Sequence, residues 1–122
     1  MIKASVGKPI DSQRTFGLVN LPPFSERQLI GNWLIEGMSM TRSIELAEGV
    51  YFLVSRLFSE AGLPVGGDQG LRLTRVSDTE FRGVPPNTMI YRIASSGELL
   101  CQLHGEKAPS MRGIPHQALW PQ

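Results

Sequence analysis

The sequence predicts an α+β fold, with two N-terminal helices packed on a four- to five-stranded antiparallel meander sheet. Three observations carry this expectation. Ser25 and Gln28 form a capping box ahead of apolar residues at helical spacing. A second Ser/Thr cap follows at Ser39 or Thr41. From residue 71 onward, apolar and polar residues alternate between turn signals. Helices first and an antiparallel meander after them is the α+β order.

Each element has its own reason. Residues 1–23 read as an irregular arm, punctuated by Gly7, Pro9, Gly17 and the Pro22-Pro23 pair, with a short strand around 16–19 as an option. A single α+β domain then spans 24–122. In it, Leu29, Ile30, Trp33 and Leu34 line one face of the first helix, and Gly37 suits its C-terminal left-handed position. The second helix turns either Ile44 and Ala47 or Met40 and Ile44 inward and ends near Gly49. The run VYFLVSRLF at 50–58 is ambiguous. Its β-branched and aromatic content favours a buried strand, while Leu46, Val50, Leu53 and Leu57 also fit helical spacing; strand is slightly preferred. After the Gly/Pro loop at 61–70 come LRLTRV, TEFRGV, TMIYRIA and ELLCQLH, the last two joined through Ser95-Ser96-Gly97 as a hairpin. From about 107 the chain reads as an irregular tail, with Trp120 as an anchor.

Composition narrows the function classes. A net charge of +1 over 122 residues makes no field that would draw the whole molecule to nucleic acid or an acidic membrane. One cysteine, Cys101, excludes an intrachain disulfide and a thiolate zinc cluster. No apolar run reaches the length of a signal peptide or a membrane span, so the expectation is a cytoplasmic protein. Arginine outnumbers lysine nine to three, which base composition explains as well as anion binding does. His104 and His116 have no third ligand nearby, so neither a metal nor a cofactor is expected. Cys101 alternates with Leu99 and Leu103 on one face, as a structural thiol does. Gly66-Gly67 lacks the features of a phosphate loop, no serine sits in a nucleophile elbow, and no catalytic residue is assigned.

Residues 25–61 can be drawn as a helix-turn-helix, with Arg42 and Arg56 on DNA phosphates. Three arginines against five glutamates leave that segment at net −2, the wrong sign for phosphate contact. Nucleic acid therefore ranks below a small molecule as partner. A second outline comes from Gly31-Asn32-Trp33, which is similar to the G-x-W start of lipocalin-type barrels. A barrel needs alternation through 34–41, and Glu36 and Arg42 on the face of Met38 and Met40 break it. Trp33 is accordingly read as a core residue.

The stretch WLIEGMSMTRSIE at 33–45 resembles the chorismate lyase family through Trp33, Leu34, Ser39, Met40, Thr41, Arg42 and Glu45. The resemblance implies an α+β fold, an anion at the start of the second helix, and Met40 bordering the ligand. It also implies a basic residue from a sheet strand holding a carboxylate, for which Arg92 is the candidate. No glutamate matches that family's catalytic acid, so binding rather than lyase chemistry is expected. The sequence thus predicts a protein that binds a small anionic or aromatic carboxylate through Met40, Arg42 and Arg92, with Arg72 or Arg75 assisting. A homodimeric interaction protein without a ligand is the third alternative.

Overall fold

The computed structural model describes residues 18–61, 69–85 and 87–117. It is all-β, and this overturns the α+β expectation. Nine strands form: β1 (Leu18–Asn20), β2 (Gln28–Ile35), β3 (Met40–Ala47), β4 (Val50–Leu57), β5 (Gln69–Arg75), β6 (Glu80–Gly83), β7 (Met89–Ile93), β8 (Leu99–Leu103) and β9 (Met111–Pro115). Each strand from β2 to β9 pairs antiparallel with the next, and β9 returns to pair with β2. The result is a closed eight-stranded up-and-down barrel, with β1 added on the edge of β5.

The closing ladder sets Trp33 against Pro115, Leu34 against Ile114 and Ile35 against Gly113. The His116 amide donates to the Asn32 carbonyl (3.0 Å) and the Glu36 amide to the Arg112 carbonyl (2.9 Å), extending that ladder at both ends. Closure removes the exposed sheet edge that an open meander would carry.

The predicted first helix is a 3-10 turn at Phe24–Glu26 followed by β2, and the predicted second helix is β3. The reason lies in the spacing. Residues four apart share a face on a helix and on a strand alike, so Leu29/Trp33 and Met40/Ile44 fit both. Burial decides for the strand: Trp33 and Ile35 are buried, whereas Ile30 and Leu34, required on the helix's inner face, are exposed. Val50–Leu57 is a strand, paired along its length with β3, so the helix-turn-helix lacks its third element. The Glu36 objection to a barrel also falls, because 36–39 is the turn between β2 and β3. The tail expected to be irregular contains β9, and part of the expected arm is β1. Trp120, residues 1–17 and the 62–68 loop lie outside the described residues.

Toward the Trp33 end the barrel is filled by alternate residues from its walls. Trp33, Ile44, Leu53, Leu73, Phe81, Tyr91, Leu99 and Cys101 make one continuous buried cluster. Burying side chains of this size stabilises by roughly 1.5–3 kcal/mol each before entropy is counted. Two glycines make room for the indole: a Cβ at Gly31 would fall 2.5 Å from the Trp33 ring, and one at Gly113 would fall 2.7 Å from the Trp33 Cβ. The Trp33 Nε1–H donates to the Gly97 carbonyl at 2.8 Å, satisfying the buried indole.

A second, smaller core lies outside the barrel. Val19 and Leu21 cross over the outer face of β3 and β4 and pack on Ala47, Val50, Phe52 and Val54. Beside them, the fully buried Glu45 carboxylate accepts from Arg27 (2.8 Å), from Arg56 (3.3 Å) and from the Ser43 hydroxyl (2.5 Å). Phe24 lies under the Arg27 guanidinium, 3.9 Å from ring centroid to Cζ. So β3 is buried on both faces, which is why its sequence does not alternate cleanly.

Candidate ligand site in the barrel lumen

Strand periodicity sends residues 40, 42, 44 and 46 of β3 into the barrel. One of them is charged. Arg42 extends across the lumen, and its Nη1 donates to the Cys101 Sγ on β8 at 3.4 Å. Its Nε donates to the Ser55 hydroxyl on β4 at 3.3 Å, Ser55 being its cross-strand partner. Tyr91 lies near enough on β7 to feel the arginine's charge and the Asn87 amide, both of which favour its ionised form. Asn87 reaches that point over Gly83, where a Cβ would meet the amide at 2.3 Å.

The electrostatics of this layer are one-sided. Burial pushes the Cys101 thiol above its ordinary range, and Arg42 only partly opposes that shift. The Tyr91 phenol is raised for the same first reason, with Arg42 and Asn87 acting against it. Both groups therefore stay neutral near pH 7. Arg42 forms no ion pair with a carboxylate of the described residues. A guanidinium enclosed by a barrel wall thus has a hydroxyl and a thiol as its partners, and the thiol is a weak acceptor. Solvent reaches this layer from one side, since Ser55 faces inward and is nonetheless exposed.

The residues expected to bind a ligand are divided by the fold. Met40 and Arg42 share the inner face of β3, Met40 buried and one step nearer the mouth. Arg92 does not join them: it faces outward on β7, 44% exposed, with its Nε 3.6 Å from Glu80. Arg72 is exposed on the outside and borders a groove with Val19, Leu21 and Phe52. Arg75 lies at the opposite end of the barrel, stacked near Tyr51 and ion-paired with Asp78. The helix start implied at 39–45 by the chorismate lyase resemblance is strand here, so no helix dipole is available for an anion at that point.

Sequence reading missed Ser55, Tyr91 and Asn87. Tyr91 was within reach, because Met89, Tyr91 and Ile93 alternate as an inward face. Ser55 required the register of β3 against β4, and Asn87 required the glycine gap at 83. Among the described residues no group of histidine, cysteine or acidic side chains could hold a metal, and no helix is long and apolar enough to cross a membrane.

Fold and site together define an up-and-down β-barrel that carries a cation in its lumen. No family model, curated protein or solved structure matches the chain.

Proposed function

We propose that this protein binds a small organic anion, a carboxylate with an apolar body, inside the barrel mouth with Arg42 as its charge partner. One observation carries the reading: Arg42 crosses a largely apolar lumen to rest on a neutral thiol, with no carboxylate of the described residues beside it. Charges in such surroundings are ordinarily paired. The planar guanidinium fork suits a carboxylate, which would replace the thiol with a charge-assisted acceptor. Eight-stranded barrels leave room for one small ligand when their side chains do not fill the interior. The Ser55 hydroxyl and the Tyr91 phenol supply neutral donors for the second carboxylate oxygen.

The test is a thermal-shift and calorimetric screen of small carboxylates against matched amides and amines, on the native chain and on Arg42→Met. A carboxylate at about 100 times its Kd stabilises by about 2.7 kcal/mol, a readily measured shift. Binding by carboxylates, lost in Arg42→Met, is the expected result. Equal response to amides, or retention of binding in the variant, would overturn the proposal. The variant is expected to fold, because Met keeps much of the side chain's length and removes a charge that has no carboxylate partner among the described residues.

A further inference from the structure

The lumen is layered along its axis, and the layers differ in chemistry. At the mouth, the strand ends bring together Met40 from β3, Leu57 from β4, Met89 from β7, Leu103 from β8 and Met111 from β9. Leu57 and Leu103 are 49% and 40% exposed, so this rim is where the barrel opens. Arg42 lies two residues deeper than Met40, about 6–7 Å by the usual strand rise. Below it the floor is closed by Trp33, Ile44, Leu53, Phe81 and Leu99, all buried.

This order restricts what a ligand can be. An anion that reaches Arg42 finds the filled core beyond it, so its apolar part must lie back toward the rim. The inward-facing residues described at the rim are thioethers and leucines from several walls, with no aromatic ring among them. Unbranched thioethers adapt to flexible partners and fix no single ring orientation. Among the described strand residues no second cation turns inward at this end, and Arg75, at the far end, is held by Asp78.

We infer that the ligand is an aliphatic monocarboxylate, bound with its head inward on Arg42 and its chain in the methionine–leucine mouth. This rests on the anion-binding reading above and narrows it to a chemical class and an orientation.

Calorimetry with straight-chain saturated monocarboxylates of increasing length tests it, with aromatic monocarboxylates and aliphatic dicarboxylates as comparison series. Each added methylene should tighten binding about three- to fourfold, levelling off once the chain passes Leu57 and Leu103. Aromatic acids and dicarboxylates should bind more weakly than chain acids of equal carbon number. The double variant Leu57→Ser/Leu103→Ser, made at exposed positions, should flatten the chain-length dependence. Affinity independent of chain length, or equal affinity for dicarboxylates, overturns the aliphatic class while Arg42-dependent binding leaves the anion reading standing. Chain-length-dependent binding that survives Arg42→Met overturns the inward head and the anion reading together. Absence of binding by every carboxylate removes both.

Discussion

At the scale of the residue, Arg42 and Cys101 define the protein's chemistry by what each lacks. The arginine has no carboxylate partner among the described residues, and the thiol has no base to ionise it. The raised Cys101 and Tyr91 ionisations have a consequence for stability. A group whose folded ionisation lies above its unfolded one stabilises fully below the unfolded value and loses that contribution as pH rises through the folded one. Cys101 starts from an ordinary value of 9.0 and Tyr91 from 10.0, and burial raises both. Stability should therefore hold from neutral pH to about 9 and fall above it. Urea unfolding between pH 7 and 11 measures this, and Cys101→Ala should show a shallower decline. An identical slope in the variant would assign the alkaline loss elsewhere.

At the scale of the element, β3 shows how much the sequence disclosed and where it misled. Strands after residue 71 were legible, because β5, β7 and β8 have one wet face and one dry one. The hairpin at Ser95–Gly97 was legible too; Gly37 and Gly49 read as helix ends in the sequence, whereas their positive φ belongs to turns between strands. The stretch 28–47 was not. Its apolar residues repeat at intervals of four, which a helix and a strand share. Its polar residues Thr41, Ser43 and Glu45 are buried beneath the N-terminal crossing rather than exposed, which erased the alternation. Of the site, Met40 and Arg42 stand out as candidates, but they share a face only in the barrel outline that the sequence reading sets aside; Arg92 was misplaced because the sequence carries no record of which strand face closes inward. The β3–β4 hairpin also holds the one described non-glycine residue at positive φ, Glu48 at 52°, followed by Gly49 at 77°. Two successive left-handed residues make a type I′ turn, for which Asn-Gly is the preferred pair. Glu48→Asn should accordingly stabilise the protein by about 0.5–1 kcal/mol, read as a higher urea midpoint at unchanged slope. A lower midpoint would mean that the glutamate side chain has a stabilising contact of its own.

At the scale of the molecule, closure turns eight marginal strands into one cooperative unit. The β2–β9 ladder joins segments some eighty positions apart in sequence, and hairpin formation alone supplies nothing toward it. Pairings of that separation cost loop-closure entropy before they stabilise. The barrel wall also distributes charge unevenly. Among the described residues, the Glu45 carboxylate on the outer face of β3 is shared by Arg27 and Arg56, and no carboxylate pairs with Arg42 on its inner face. The inner face is left with an uncompensated positive potential, bounded by low-dielectric walls that channel field lines toward the open mouth. On the anion-binding proposal, an approaching anion would be drawn in before it touches the barrel. Its association rate should fall as ionic strength rises while its dissociation rate stays nearly constant, so stopped-flow capture at two salt concentrations would read the field of the empty barrel directly.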